Sequence, residues 1–180
     1  PTGLLHLGHG RNAAVGDTIA NLYEWTGHKI TREYYFNNAG NQMQMLAKSI
    51  YAKYLEQAGE KNVDFPEKGY HGNYVKDIAS ELIKKHGDGL KSGTYQDLTQ
   101  IKKFGENWCF EKIRNTLKAM NIKQDVFFNE DTLYKDGKIK EVIDELKAKD
   151  LAYEKDGATW FALTKLGLND DRVIVKSSGE

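Results

Sequence analysis

With Cys109 as its single cysteine in 180 residues, the sequence has no means of forming an internal disulfide. Apolar runs long enough to cross a bilayer are missing too, and no basic leader with an apolar core opens the sequence. These absences point to a reducing cytoplasm and away from a membrane. Charge of one sign is also lacking. Lys plus Arg number 26 and Asp plus Glu number 26, a formal net charge of zero, which excludes a broad basic footprint for nucleic acid. Any RNA contact would fall to local patches, and Lys84-Lys85, Lys102-Lys103 and Lys112-Arg114-Lys118 are the candidates. Each of these reads first as a solvated helix face. Neither an internal repeat nor a low-complexity tract is present.

What remains is the composition of a folded domain. Hydrophobic residues make up 39% and charged residues 29%, and aromatics are plentiful, so the chain can bury a core as one large or two small domains. It opens at Pro1 with no initiator Met and stops at Gly179-Glu180, a turn pair just after an apolar run. On that ground it is expected to be a piece of a longer protein.

The apolar spacing orders the elements. Val15, Ile19, Leu22 and Tyr23 predict a first helix, with Gly27 at its C-terminal cap. Lys29 to Phe36 is rich in β-branched and aromatic residues and reads as a strand, ended by the turn residues from Asn37 to Gly40. Helix then strand suggests half of a nucleotide-binding βαβ unit whose first strand would precede Pro1. A helix follows through Met43, Leu46, Ile50 and Tyr54, then a loop with Pro66 and Gly69 to Gly72. The next carries Val75, Ile78, Ala79, Leu82 and Ile83 and stops at Gly87-Asp88-Gly89. A long helix carries Ile101, Phe104, Trp108, Ile113, Leu117 and Met120, with Asn121 as its cap, and Asp125 to Phe128 reads as a buried parallel strand. Ile139, Val142, Ile143 and Leu146 mark a last helix, beside a β-ribbon from Thr159 to Leu163 and Arg172 to Lys176.

The sharpest chemical signal is His6-Leu7-Gly8-His9, placed where the first helix begins. Two imidazoles three residues apart can both donate hydrogen bonds to phosphate oxygens. Gly8 lets a flat base or a phosphate approach the backbone, and a helix N-terminus adds free N–H groups and a positive field for the same anion. On the residues alone two other readings stand: ordinary loop histidines, and a metal pair. The metal reading needs further ligands, and His28, His71 and Cys109 are scattered without ligand spacing.

The stretch from Pro1 through Thr2, Gly3, Leu4, Leu5, His6, Leu7 and Gly8 to His9 resembles the HIGH signature of class I aminoacyl-tRNA synthetases, in the form used by arginyl-tRNA synthetases of the bacterial type. The resemblance covers essentially the whole chain. It extends over Gly16-Asp17, the run from Arg32 to Gln42, Gly69 to Tyr74, Gly157 to Phe161 and Asp171 to Glu180. It implies an α/β fold, an incomplete Rossmann-type catalytic core with a helical insertion and a smaller α+β insertion. The divisions expected are the first part of the core at 1–41, the helical insertion at 42–101, a return to the core at 102–129 and the second insertion at 130–180.

The same resemblance implies an arginine–tRNA ligase that uses ATP with Mg²⁺ to make arginyl-adenylate and passes the arginyl group to tRNA, acting as a monomer. His6 and His9 would be catalytic, and His6, Gly8 and His9 would bind ATP. Glu130 follows the strand-like run at its C-terminal edge, where open α/β sheets bind ligands. A carboxylate suits a guanidinium, so Glu130 is the candidate for binding arginine. The family's Asn before the matching Pro, its Tyr and Asp after the matching Gly-Glu, its KMSKS-type loop and its anticodon-binding domain have no counterpart here. The chain is therefore expected to be a partial catalytic domain, inactive by itself. Two rival classes are a noncatalytic module that binds tRNA or a synthetase, and another HIGH-type nucleotidyltransferase. Trp108, Trp160 and most tyrosines read as core or interface anchors, and Cys109 as a small buried apolar residue.

Overall fold

The computed structural model describes residues 2–38 and 40–179. Pro1 of the motif, Ala39 of the turn and Glu180 lie outside them. The chain divides into two compact units, residues 1–129 and 130–180.

In the first unit, helix α1 (Leu7–Trp25) leads to strand β1 (Glu33–Phe36), helices α2 (Asn41–Gln57), α3 (Asn73–His86) and α4 (Tyr95–Ala119), and strand β2 (Val126–Asn129). The core lies among α2, α3 and α4. Leu46, Ile50, Ile78, Leu82 and Ile101 meet there with no exposure at all, because each helix carries apolar residues three and four apart along one face. Thr94 caps α4 by accepting from the Asp97 N–H while Asp97 accepts from the Thr94 N–H, so two otherwise orphaned donors are satisfied. Hydrogen bonds from Ser92 and Thr94 hold the Asp97 carboxyl below its ordinary value. Cys109 is fully buried, and burial pushes its thiol up to about 11.

The strand from Lys29 to Phe36 is shorter than its composition suggests, since only Glu33–Phe36 finds a partner. β1 pairs with β2 in parallel, Glu33 opposite Val126 through Phe36 opposite Asn129. A parallel pair requires a long crossover, and α2, α3 and α4 supply it. β2 is parallel as its apolar run implies, yet Val126 is exposed and the rest only half-buried. A second apolar cluster of Phe36, Ile113, Leu117 and Ile122 gathers Leu5, Ala13 and Phe127 around it. Asn121, at φ 58°, ends α4 in the left-handed region as a cap should.

Helix α1 forms where its apolar spacing predicts a helix. Its periodic stripe of Val15, Ile19, Leu22 and Tyr23 is exposed, and Ala20 is the one buried residue among those described in the helix. The residue that the helix packs against the second cluster is the small Ala13, which does not announce itself as part of an apolar stripe.

The second unit holds α5 (Asp131–Lys135), α6 (Lys138–Ala148), β3 (Ala152–Lys155), β4 (Ala158–Phe161), a 3₁₀ turn (Leu163–Leu166) and β5 (Arg172–Val175). Its sheet is antiparallel in the order β3-β4-β5, three strands rather than the expected ribbon of two. β3 escapes notice because Tyr153, Glu154 and Lys155 are polar or amphipathic and lie exposed. The turn Asp156-Gly157, at φ 53° and 74°, has the left-handed pair of a type I′ hairpin and joins β3 to β4.

Candidate active site

The site forms where the chain enters α1. His6 is the N-cap, at φ −104° and ψ 174°, and its imidazole replaces the Ser or Asp side chain more usual there. Its Nδ1 accepts from the Gly8 N–H at 3.1 Å and the His9 N–H at 3.4 Å, and His9 Nδ1 accepts from the His6 N–H at 3.2 Å. The two rings stack with centroids 3.6 Å apart and planes 19° from parallel.

This reciprocal cap fixes the chemistry of both rings. A nitrogen that accepts a backbone N–H must present its lone pair, so in each neutral imidazole the proton sits on Nε2. Both Nε2–H groups are then left as donors on exposed, stacked rings. Gly8 has a role beyond ligand access: a Cβ there would lie 3.0 Å from His6 Cε1 and 3.1 Å from Nδ1, so a side chain would crowd the capping ring.

Both histidines line a cavity of about 430 Å³ with Thr2, Gly3, Tyr34, Tyr35, Asn37, Gln42, Tyr70 and Tyr74. Asn37 and Gln42 stand at its wall, on either side of the turn after β1. Asn38 instead is buried, and its amide donates to Glu106 of α4 at 2.9 Å. Glu130 is not among the lining residues. It is the first residue after β2 in the chain, half-buried, the N-cap of α5 without a side-chain cap bond, and its carbonyl accepts from the Leu133 N–H.

Sequence reasoning missed Arg32. Its guanidinium donates to Asp17 at 3.2 Å, Asn21 at 2.7 Å and Glu24 at 2.7 and 3.0 Å, all on α1. Its backbone meanwhile accepts from Asp125 and Val126 and donates to the Asp125 carboxylate. One residue thus ties α1 to both strands. The hydrogen bond from Arg32 holds the Glu24 carboxyl below its ordinary value. The i, i+4, i+7 spacing of Asp17, Asn21 and Glu24 was a usable signal for one polar face meeting one long cation.

Three cations of the basic patches lie over aromatic rings while staying exposed. Lys85 stands over Phe104, Lys112 over Trp108, and Arg114 over Phe110 and Phe127 at 4.1 and 4.6 Å, cation–π contacts that use aromatic faces of the same unit. Trp108 is a core anchor whose indole donates to Glu81. Among the described residues, no group of three or more His, Cys, Asp or Glu could hold a metal ion, and no helix is long and apolar enough to cross a membrane.

The family described as tRNA synthetases class I (R), catalytic domain, matches residues 3–180. The chain belongs to that family. Arginine–tRNA ligases from Desulfotalea psychrophila and Pelodictyon phaeoclathratiforme are 49% and 48% identical over all of this chain, which covers 32% and 33% of them. The chain thus spans about a third of the length of these curated relatives. A crystal structure from Campylobacter jejuni, described as arginyl tRNA synthetase, superposes with a TM-score of 0.89 at 33% identity, over 100% of this chain and 39% of that one. The arginyl-tRNA synthetase of Plasmodium falciparum, at 17% identity and a TM-score of 0.62, shares the fold over 99% of this chain and 30% of its own. The class I catalytic fold of this family, with the sheet present in part, is therefore the architecture of the chain.

Proposed function

We propose that this chain is part of the catalytic domain of an arginine–tRNA ligase, acting in the cytoplasm, and that His6 and His9 contact ATP. The observation that carries the site assignment is the reciprocal cap, which leaves two Nε2–H donors side by side at the start of a helix, beside a cavity. Two N–H donors and a helix N-terminus suit a polyphosphate. In this reading the arginine carboxylate attacks the α-phosphorus of ATP, giving arginyl-adenylate and pyrophosphate. The terminal ribose of tRNA then takes the arginyl group. The carboxylate is already ionised at neutral pH, so the first step needs no general base. The two imidazoles stabilise charge as it builds on the phosphate oxygens, which raises rate more than affinity. Mg²⁺ would enter with the phosphates, and no residue described here is assigned to hold it.

Arginine-dependent exchange of pyrophosphate into ATP, measured on the full-length protein, tests the assignment. His9→Ala and His6→Ala should each lower the exchange rate by an amount corresponding to about 3–4 kcal/mol while ATP binding changes little. His6→Asn offers a side-chain oxygen to the cap but no Nε2–H, so it should preserve thermal stability and still lose the rate. Near-normal exchange in all three variants would remove the histidines from the mechanism.

Glu130 carries the arginine-binding part of the proposal, supported by its position directly after β2. Glu130→Gln should weaken arginine affinity by roughly ten- to a hundredfold, with ATP affinity unchanged, since a hydrogen bond to a charged group contributes about 1.5–3 kcal/mol. It should also relax discrimination against citrulline. Arginine titrations matching the parent within about a factor of two would leave Glu130 an ordinary loop charge.

A further inference from the structure

A side chain of α3 reaches the segment that leads into the histidine motif. Tyr74, in the first turn of α3, donates its hydroxyl to the carbonyl of Thr2. Its ring lies against Gly3, where an added Cβ would meet Tyr74 Cζ and Oη at 3.3 Å. Thr2 and Gly3 lie a few residues ahead of the N-cap His6, so whatever holds them sets the approach of the chain to the reciprocal cap.

Tyr74 is itself well anchored. A Cβ at Gly72 would lie 2.6 Å from Tyr74 Cδ1, so the ring occupies space that only glycine leaves open. The preceding loop is fastened to α2: the Tyr70 N–H donates to Ser49 Oγ at 2.9 Å, and Ser49, fully buried, donates to the Met45 carbonyl at 2.8 Å. A phenol is protonated and able to donate at neutral pH in any case, and burial pushes the Tyr74 hydroxyl further up, to about 12. Tyr74 also lines the cavity beside both histidines.

We infer that Tyr74 is a positioning residue: through Thr2 and Gly3 it makes α3 the support that sets where His6 and His9 present their Nε2–H groups. The inference rests on the reading of those histidines as ATP contacts, and its test separates the two. Misplacement of a reacting group by a fraction of an ångström is felt in the rate before it is felt in binding.

The experiment compares the full-length protein with its Tyr74→Phe, Gly72→Ala and Tyr51→Phe variants. Tyr51 donates to the Lys91 carbonyl at 2.8 Å, a bond of the same kind that does not touch the motif segment. Amide hydrogen exchange of peptides covering residues 2–9 should quicken in Tyr74→Phe and Gly72→Ala but not in Tyr51→Phe. In arginine-dependent pyrophosphate exchange, kcat should fall by roughly ten- to a hundredfold in the first two, with KM for ATP within about a factor of two. Unchanged amide exchange at residues 2–9 in Tyr74→Phe overturns the inference, as does quickened amide exchange with an unaltered kcat. If the parent shows no arginine-dependent activity, the functional reading falls, and the amide-exchange comparison still decides whether Tyr74 holds the segment.

Discussion

Helices α2, α3 and α4 meet through side chains that water does not reach, such as Leu46, Ile50, Ile78 and Leu82. Helix α1, in the same unit, exposes Leu7 and Trp25 at 91% each and is tied down by the Arg32 fork on Asp17, Asn21 and Glu24. The first region is stabilised by burial, which is non-directional and cumulative; the second by a few directed polar contacts, each strongly dependent on geometry. The difference fits the chemistry proposed for them. A support must resist deformation, while groups that meet a charged substrate must remain at the surface.

The comparison can be broken at several points, and the largest effect belongs to the buried side. Ile50→Ala removes a fully buried side chain among α2 to α4 and should lower the free energy of unfolding by about 2–5 kcal/mol in denaturant titrations. A loss below about 1 kcal/mol would mean that these helices are not the stable part. Arg32→Met should act differently. Amide protection should drop across α1 while the α2 to α4 amides stay protected, and a uniform drop across both would deny the separation.

Capping gives a smaller test. Thr94→Ala removes the side-chain acceptor for the Asp97 N–H and should cost about 1 kcal/mol of stability, read from the thermal midpoint. Acid probes α1 again. Glu24 is held below its ordinary value of 4.5, so its contribution is complete above that pH and is lost as pH falls through its lower, folded value. Protection of α1 should therefore weaken on acidification below about 4.5, and Glu24→Gln should flatten that dependence. The smallest effect is expected on the exposed stripe: Ile19→Gln should stay within about 0.5 kcal/mol of the parent. A loss of about 2 kcal/mol or more would show that the stripe is covered.

Much of the helical framework was legible in the sequence, because α2, α3 and α4 each repeat apolar residues at helical spacing and end at Gly, Asn or a polar turn. The site was legible in part. His6-Leu7-Gly8-His9 stood out as a pair of imidazoles around a glycine at a helix start. That each ring caps the backbone of the other, and so fixes its proton on Nε2, is a matter of distances between atoms three residues apart. β3 was missed because its exposed residues carry no alternation, and pairing with β4 rather than composition makes it a strand.

Residue order alone determined the elements whose own spacing encodes them: the three buried helices and the histidine motif. Tertiary structure decided which apolar stripe is buried, since Val15, Ile19 and Leu22 of α1 recur at helical spacing yet lie exposed. It also decided the long-range partners, Arg32 with α1 and Tyr74 with Thr2, 72 residues apart. Periodicity records which faces of an element are alike. It does not say what comes to lie against them, because that depends on how the whole chain closes.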